Sequence, residues 1–491
     1  MSSNLAPAIV AILWCASSGS GQAFRPEIPR AWDDQAVAGF ELPLVQADRS
    51  PRYLAAKEYY ALKERVIYRS YPVYAPGREP AGYRDWLKLR EPEILFDAAS
   101  LRTKEDWIRA GKIVFQSHIR YSPAPLSPEV DTTLPPLPDG SLHSFRPGNR
   151  YYIRKKGVIE VGLNACADCH TRILPDGSLL EGAQGIVARP FSAETLKQVR
   201  EGRPEAHARR IENDWLLFGA PWIQSKEAFA NTLTLERAVA QLAANHPGVF
   251  ARQGTSRSHP VHVPSLIGIQ DLKYLDATGL VRHRSIGDLM RYAIVNMGLD
   301  MAAHFGDFQP SSKPTAFSGD EGTRYGDEQL YAMALYLYSL KPPPNPNPRD
   351  ALAIHGQEIF EVQGCSGCHA PPLYTNNKLT PALGFQVTAQ LRRTDAILDI
   401  SVGTDPTLAT GTRRGTGFYK VPSLRGVWYR NAFGHGGQAE TLEEWLDPAR
   451  LNDGYVPKGF HIGAGPIKGH EFGLKLSPAD KRALIAFLKT I

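Results

Sequence analysis

Apolar residues recur at helical spacing in four segments of this 491-residue chain, and we predict a helix in each. The segments are residues 104–115, 327–340, 349–360 and 478–491. The last has the clearest start signals, because Ser477 can cap the helix, Pro478 suits its first turn and Asp480 can complete a capping box. A further apolar helix is predicted over residues 286–295.

The four segments form two matching pairs, so the chain has an internal duplication. Residues 104–115 resemble residues 349–360, and residues 327–340 resemble the final segment. Between the members of each pair lies a Val-Pro-Ser-Leu run, at residues 263–266 in the first copy and 421–424 in the second. The proline-rich residues 342–348 separate the copies and are expected to be extended and stiff.

The sequence therefore predicts a mainly α protein built from two tandem domains, with inserted loops and an N-terminal extension. We place the first domain at residues 104–341 and the second at 349–491. The first carries insertions at 116–160 and 187–258, the latter with helices predicted at 193–201 and 233–244. Residues 24–103, rich in Tyr, Pro and Arg, form the extension, with one helix expected near 54–66.

Each copy contains a Cys-x-x-Cys-His run, which is the sequence signature of covalent haem c attachment. Its two thiols form thioethers to the haem, and its histidine becomes an axial ligand of the iron. The residues concerned are Cys166, Cys169 and His170 in the first copy and Cys365, Cys368 and His369 in the second. The run occurs twice in a chain with only five cysteines, so we predict two covalently bound haems.

Two other readings of the motif are weaker. A redox-active dithiol of the thioredoxin type needs a βαβ setting and no histidine. A structural zinc site has its second pair of ligands nearby, whereas these pairs lie almost two hundred residues apart. Zinc is the main alternative that the sequence leaves open.

Composition and charge narrow the class of protein. With 43% hydrophobic and 22% charged residues, the chain has the composition of an ordinary globular protein. A net charge of +6, from 56 basic and 50 acidic residues, is too small to indicate nucleic acid as a partner. No run after residue 23 is long enough to span a bilayer. Residues 1–23 have the apolar run and small-residue end of a secretory signal peptide, so a periplasmic or secreted protein is expected.

Two motif-bearing halves in this order resemble the bacterial di-haem cytochrome c peroxidase superfamily, which includes MauG and the rubber oxygenases. The resemblance implies that the two predicted domains are tandem cytochrome c domains. The resemblance covers residues 104–491 and is clearest at 418–444, where an aromatic-x-His element is followed by Thr-Leu-Glu-Glu. Gly436 stands where the family has Asp. The resemblance implies one six-coordinate haem that relays electrons and one haem with an open face, where peroxide or dioxygen reacts.

The sixth ligand of the second haem does not follow the family pattern. The family position, fourteen residues after His435, is Ala449, which cannot bind iron. We predict His470 as the ligand, with His461 and His435 as alternatives. A calcium ion between the domains is common in the peroxidase relatives, but the sequence contains no ligand set that establishes one.

Over the first haem, the positions at which the family's peroxidases carry Gln and Glu fall on Leu289 and Leu299. Asp288 and Asp300 are each one residue away. If this matching of positions holds, the pocket over the first haem is apolar and includes Tyr292. The alternative is that these residues are ordinary hydrophobic core of the helix over residues 286–295. We therefore name Leu289, Tyr292, Leu299 and Asp300 as the candidate catalytic residues.

Three functions remain open at this stage. An apolar pocket without a proton donor favours an oxygenase that binds dioxygen at the first haem and acts on a hydrophobic unsaturated substrate. The second function is a peroxidase or MauG-like oxidase that uses hydrogen peroxide, with Asp288 or Asp300 as the acid and a small redox protein as electron donor. The third is a di-haem electron carrier, in which another side chain fills the first haem's sixth site. Candidates for that ligand are Met297, Met301, His283 and His304.

Overall fold

The computed structural model describes residues 24–124, 134–185, 193–202, 204–251, 255–311 and 322–491. The predicted signal peptide lies outside these residues. In the first half of the described chain, the helices are α1 (Asp34–Val37), α2 (Ala56–Ala61), α3 (Tyr83–Lys88), α4 (Lys104–Gln116), α5 (Cys166–Cys169), α6 (Ala193–Glu201), α7 (Pro204–Phe218), α8 (Lys226–Thr232) and α9 (Leu235–Ala243). In the second half they are α10 (Ile286–Asn296), α11 (Asp327–Ser339), α12 (Ala351–Val362), α13 (Ala389–Thr394), α14 (Thr407–Thr410), α15 (Leu442–Trp445) and α16 (Pro478–Lys489).

The strands are short, and most of them form two-stranded sheets. They are β1 (Ser70–Pro72), β2 (Arg120–Pro123), β3 (Arg150–Lys155), β4 (Val158–Leu163), β5 (Thr171–Ile173), β6 (Leu179–Glu181), β7 (Val249–Phe250), β8 (Val261–His262), β9 (Tyr274–Leu275), β10 (Val281–Arg282), β11 (Leu379–Pro381) and β12 (Phe418–Lys420). The resulting fold is mainly helical, as predicted, and also contains small antiparallel sheets that were not predicted. The division into domains stays a prediction.

The duplicated helices pack as pairs, α4 against α11 and α12 against α16. A glycine marks the closest approach in each pair. A Cβ atom on Gly111 would overlap the carbonyl oxygen of Ala332, and one on Gly356 would overlap that of Ala483. Gly111 and Gly356 occupy matching positions of the two copies, so the duplication seen in the sequence extends to the packing of the helices.

Aromatic and aliphatic side chains fill the space around each crossing. Phe115 of α4 packs against Tyr336 of α11 with ring centres 5.4 Å apart. Phe360 of α12 packs against Phe487 of α16 at 5.3 Å. The start of α16 is as predicted, because the Ser477 side chain accepts a hydrogen bond from the Asp480 backbone N–H.

The N-terminal extension contributes one strand to a sheet that the sequence analysis did not predict. Strand β1 of the extension pairs with β3, and the order across the sheet is β1-β3-β4-β2, with antiparallel pairing throughout. Strands β2 and β3 come from the first insertion, and β4 begins in it and ends three residues beyond it. The extension and the insertion therefore fold together.

Two other expectations need correction. The helix expected over residues 54–66 is only α2, because Leu62 adopts an extended backbone and Glu64 then bridges to Arg324. In the second insertion, helices at 193–201 and near 233–244 are confirmed, but α7 and α8 were not predicted. Residues 342–348 contain no helix, as expected. Within the described ranges, no helix combines the length and apolar character that crossing a membrane requires.

Candidate functional site

The two cysteines of the first Cys-x-x-Cys-His run lie on a single helical turn, α5. Backbone hydrogen bonds from two glycines hold the C-terminal end of this turn. Gly182 N–H donates to the carbonyl oxygen of His170 over 2.6 Å, and Gly185 N–H donates to that of Cys169 over 3.0 Å. The imidazole Nδ1 of His170 donates to the Pro264 carbonyl oxygen over 3.1 Å. A hydrogen bond of this kind orients the ring and selects the tautomer that presents Nε2 to a metal.

The second run has the same arrangement. Cys365–Gly367 form a 3₁₀ turn, and His369 follows it. The Nδ1 atom of His369 lies 3.2 Å from the carbonyl oxygens of both Tyr374 and Pro422. Of the cysteines in the described part of the chain, none forms a disulfide.

Pro264 and Pro422 are the matching prolines of the two Val-Pro-Ser-Leu runs. The structure thus gives those runs a role that the sequence analysis left unassigned: each supplies the carbonyl oxygen that orients the histidine of its own copy. Their recurrence in both halves was the available signal. The hydrogen bond through Nδ1 is typical of a histidine that binds a metal through Nε2.

His470 lies against His369. Their ring centres are 6.2 Å apart and their planes are inclined at 61°. His470 has a positive φ of 49°, and its backbone N–H donates to the Val402 carbonyl oxygen over 2.7 Å. The guanidinium of Arg450, which is fully buried, donates to the carbonyl oxygen of His470 over 2.8 Å. The loop before α16 therefore holds His470 in a fixed position facing His369.

The two alternative ligands lie elsewhere. His435 packs over the ring of Tyr419, with ring centres 4.8 Å apart. The Nδ1 atom of His461 donates to the Gly459 carbonyl oxygen over 2.9 Å.

Burial, with a contribution from the nearby His369, lowers the pKa of His470 to about 4, so the ring is neutral at physiological pH. A neutral imidazole is the form that binds iron.

The candidate residues for the first reaction site lie on and after α10. Leu289 is 4% exposed, Tyr292 8% and Leu299 0%, and all three belong to the main hydrophobic core. The Tyr292 side chain also has a polar contact, because its hydroxyl lies 3.1 Å from a carboxylate oxygen of Asp276.

Asp300 is fully buried in a network of charged groups. It accepts a hydrogen bond of 3.0 Å from Arg413, which is also fully buried, and lies 3.8 Å from Arg414. Arg414 in turn donates to the Glu41 carboxylate and to the Tyr53 hydroxyl. Arginines from a distant segment therefore pair with Asp300, the residue next to Leu299, and the apolar pocket stays a prediction.

Glu41 and Tyr53 bring the N-terminal extension into the same network. The Tyr53 hydroxyl donates to Glu41 over 2.7 Å. Burial raises the pKa of Glu41, and the neighbouring Arg414 opposes that shift. Sequence reasoning missed both residues and both arginines, since nothing in the local pattern of the extension or of residues 413–414 indicates partners so distant in sequence.

Asp288 belongs to a different, structural ion pair. Burial raises its pKa, but hydrogen bonds from Arg284 and Arg291 outweigh burial and the pKa is lowered. Both arginines lie 2.8 Å from its carboxylate. Asp288 is thus a charged anchor at the start of α10.

Of the four residues named as alternative ligands of the first haem, two have described polar side-chain contacts with protein groups. Both ring nitrogens of His283 are hydrogen bonded, to the Leu272 carbonyl oxygen and the Tyr338 hydroxyl, each over 2.7 Å. The Met301 sulfur lies 4.0 Å from Arg413. His304 pairs through its backbone with Arg52, and Met297 ends α10.

Asp168, between the two cysteines of the first run, pairs with His118 in the interior. Their side chains are 3.6 Å apart and 2% and 0% exposed. Burial raises the pKa of Asp168 to about 8 and lowers that of His118 to about 3. At neutral pH both groups are therefore uncharged, and the contact is a polar pair without net charge.

Comparisons with known proteins give only distant similarities. No family model matches the chain, and no curated protein matches it. Among solved structures, hydrazine synthase of Kuenenia stuttgartiensis is 14% identical over 62% of this chain and 93% of its own, with a TM-score of 0.30. The di-haem peroxidase BthA of Burkholderia thailandensis is 16% identical over 87% of this chain and 92% of its own, with a TM-score of 0.27. A single-residue variant of that peroxidase is 18% identical over 70% of this chain and 93% of its own, with a TM-score of 0.28. TM-scores this low establish neither a common fold nor a function.

Among the residues that the structure describes, no three His, Cys, Asp or Glu side chains are placed to bind a metal ion together. A four-ligand zinc site is thus not formed by either Cys-x-x-Cys pair within those ranges. A haem needs only the two thiols and the histidine of one run, and an opposing ligand only where the iron is six-coordinate. The residues around His369 fit that requirement.

Proposed function

We propose that the chain binds two haems covalently, at Cys166–Cys169 and at Cys365 and Cys368, and acts as a di-haem oxidoreductase. The observation that carries the proposal is the 6.2 Å separation of the His369 and His470 ring centres. A metal–imidazole bond is about 2 Å long, so two imidazoles on opposite sides of one metal ion have ring centres about 6 Å apart. His369 and His470 are spaced to serve as the two axial ligands of one iron.

The two sites have different roles in this proposal. A haem iron with both axial positions filled exchanges electrons, whereas an iron with an open face also binds a small ligand. The His369 site, with His470 opposite, is the electron relay. The His170 site is the reaction site, and His283, one of the alternative ligands considered for it, has both ring nitrogens hydrogen bonded to protein groups.

The reaction we propose for the His170 site is the reduction of hydrogen peroxide to two water molecules, with two protons and two electrons from a reduced small redox protein. Asp300 takes up and returns the proton that this reaction moves between the two peroxide oxygens. Arg413 holds the Asp300 carboxylate in place through their 3.0 Å hydrogen bond. An acid in such a position contributes roughly 10²–10⁴-fold to the rate.

An oxygenase is the second candidate, and one observation favours it. Leu289 and Leu299 present fully apolar side chains where the peroxidases of the family carry proton-handling groups. Such a surface suits a hydrophobic unsaturated substrate beside bound dioxygen. We give the peroxidase precedence because Asp300 and Arg413 supply an acid and a positive charge next to Leu299.

The first experiment tests the axial ligands by electron paramagnetic resonance and visible spectroscopy of the oxidised holoprotein. His470→Ala should convert one low-spin haem to high spin and leave the haem content at two per chain. His461→Ala is the matched control, since its ring is bound to a backbone carbonyl oxygen. A low-spin spectrum that is unchanged in His470→Ala, or lost in His461→Ala, would overturn the assignment.

The second experiment separates the reactions. Asp300→Asn should reduce peroxide turnover with a reduced cytochrome at least a hundredfold and leave the low-spin signal intact. Asp288→Asn, which alters a carboxylate held by two arginines at the start of α10, is the control. Dioxygen uptake driven by added polyisoprene, without peroxide and insensitive to Asp300→Asn, would replace the peroxidase with the oxygenase. Two low-spin haems in every redox state would exclude both.

A further inference from the structure

One position of the duplicated helix pairs differs in chemistry between the two copies. When the copies are matched, Tyr336 of α11 occupies the position of Phe487 in α16. Each ring packs on the equivalent phenylalanine of the partner helix, with 5.4 Å between the ring centres of Tyr336 and Phe115 and 5.3 Å between those of Phe487 and Phe360. An aromatic ring alone is therefore sufficient for the packing, and the hydroxyl of Tyr336 is an addition specific to the first copy.

The Tyr336 hydroxyl is buried against a carboxylate. Tyr336 is only 6% exposed, and its hydroxyl donates a 2.6 Å hydrogen bond to Glu181. Lys112 Nζ lies 2.8 Å from the same carboxylate oxygen, and the Gln116 side chain donates to the other oxygen. Lys112 and Gln116 both belong to α4, so the helix that packs on α11 also holds the carboxylate in place.

Glu181 is a base at neutral pH. Burial raises its pKa, but hydrogen bonds from Lys112, Tyr336 and Gln116 outweigh burial and the pKa is lowered. Burial, together with the hydrogen bond to Glu181, raises the pKa of Tyr336. The phenol of the resting protein is therefore protonated, and its proton faces an ionised carboxylate within the distance that proton transfer requires.

Glu181 belongs to the hairpin that holds the first Cys-x-x-Cys-His run. Strands β5 and β6 pair so that Glu181 lies opposite Thr171, the residue after His170. The backbone N–H of the residue after Glu181 donates to the His170 carbonyl oxygen over 2.6 Å. Tyr336 belongs to the hydrophobic core cluster against which Cys166 packs. The phenol and its base thus lie beside the proposed reaction site.

We infer that Tyr336 is a redox-active residue that gives one electron to the His170 site when hydrogen peroxide is reduced there, with Glu181 as the acceptor of its phenolic proton. The inference rests on the proposed function, because it requires a haem at His170 that reacts with peroxide. The O–H bond of the phenol breaks, its proton crosses the 2.6 Å hydrogen bond to Glu181, and a neutral tyrosyl radical remains. The His369 site supplies the second electron that peroxide requires. An electron from the small redox protein and the return of the proton from Glu181 then restore the phenol.

The carboxylate makes this oxidation feasible in the protein interior. Loss of the electron alone would leave a positive charge on the buried ring of Tyr336, and a buried charge without a partner is costly. Transfer of the proton to Glu181 leaves both Tyr336 and Glu181 neutral. The charge that remains is that of Lys112, whose side chain is 48% exposed and is therefore solvated.

The test is electron paramagnetic resonance of the di-haem holoprotein, frozen within seconds of the addition of hydrogen peroxide without a redox protein. We expect a tyrosyl radical signal that narrows when the protein contains ring-deuterated tyrosine. Tyr336→Phe, which gives the first copy the ring that the second copy has, should abolish the signal. Glu181→Gln keeps a hydrogen-bond acceptor but cannot take up the proton, and should also abolish it. Both variants should retain two haems per chain and the low-spin signal of the His369 site.

Tyr455→Phe is the matched control, because Tyr455 donates a 2.7 Å hydrogen bond to Glu444 in the second copy. The radical signal should persist in this variant, and its loss there would overturn the assignment to Tyr336. A haem spectrum that responds to peroxide without a tyrosyl signal, or with a signal that persists in Tyr336→Phe, would overturn the inference and leave the proposed function intact. A protein without haem, or with haems that do not respond to peroxide, would overturn the proposed function and the inference with it.

Discussion

Arg413 donates a 3.0 Å hydrogen bond to Asp300 across 113 residues of sequence, and neither side chain is exposed to solvent. Removing one member of a buried ion pair leaves an uncompensated charge, which costs about 3–5 kcal/mol. Arg413→Met should therefore lower the free energy of unfolding by about that amount, measured by urea denaturation of the holoprotein. The double variant Arg413→Met with Asp300→Leu should recover most of the loss. A single variant as stable as the wild type would contradict the pairing.

The contact between α12 and α16 gives a second prediction. Gly356→Ala places a methyl group against the backbone of Ala483, and backbone cannot move aside as a flexible side chain can. Overpacking of this kind costs about 1–3 kcal/mol, despite the better helix propensity of alanine.

The matched control for that variant is Gly454→Ala, because a Cβ at Gly454 meets nothing within 4 Å. The measured quantity is the midpoint of urea unfolding. Gly111→Ala should behave like Gly356→Ala, since it meets Ala332 in the other copy. Equal effects of Gly356→Ala and Gly454→Ala would contradict the packing argument.

Local and repeated features of the molecule could be predicted from sequence. The spacing of apolar residues and the start signals at Ser477 and Pro478 identify α16, because helix periodicity and capping depend on residues close in the chain. The duplication identified the Val-Pro-Ser-Leu runs as important. Their role needed the structure, because the carbonyl oxygen of Pro264 reaches a histidine 94 residues away.

The long-range polar network could not be predicted. Glu41, Asp300 and Arg414 come from three distant segments, and their side chains share no pattern that would mark them as partners. The sheet formed by β1 and β3 was missed for a similar reason, since β1 is only three residues long and β3 follows it by almost eighty residues. Strand pairing at such separations depends on tertiary packing more than on local propensity.

His118 gives a prediction on pH. Burial, with a smaller contribution from Arg150, lowers its folded-state pKa to about 3, while an unfolded histidine has a pKa near 6.5. Between these values the unfolded chain binds a proton that the folded chain does not, so the contribution of His118 to stability falls by about 1.4 kcal/mol per pH unit as the pH falls from about 6.5 toward 3. Asp168 contributes in the opposite sense, because its folded-state pKa of about 8 lies above the unfolded value near 3.9 and the folded chain binds the extra proton between these values. Tyr152 is neutral in this range. The contribution of His118 is therefore measured as a difference between the wild type and a variant that lacks the ring.

His118→Asn keeps a polar atom near the Tyr152 hydroxyl, which lies 2.9 Å from the His118 Nδ1 atom, and removes the titrating ring. Relative to that of the wild type, its free energy of unfolding should rise by about 1.4 kcal/mol per pH unit as the pH falls from about 6.5 to 4. The surface variant His355→Asn serves as the control, because the exposed ring of His355 lies beside Glu358 and Asp480. Parallel pH curves for the wild type and His118→Asn would show that His118 titrates normally.

The Tyr53 hydroxyl links the extension to the network around Asp300. It donates to Glu41 over 2.7 Å and accepts from Arg414 over 2.9 Å. Tyr53→Phe removes both hydrogen bonds without changing the packing of the ring, and a charged partner makes such bonds worth about 1.5–3 kcal/mol. We expect Tyr53→Phe to lower the free energy of unfolding by an amount in that range.

The hydrogen bond from Tyr53 lowers the pKa of Glu41, so its removal should also raise that pKa. Infrared difference spectroscopy should then show more protonated carboxyl at neutral pH in Tyr53→Phe, and no change in Tyr68→Phe. An unchanged carboxyl signal together with unchanged stability would mean that the extension does not act on this network through Tyr53.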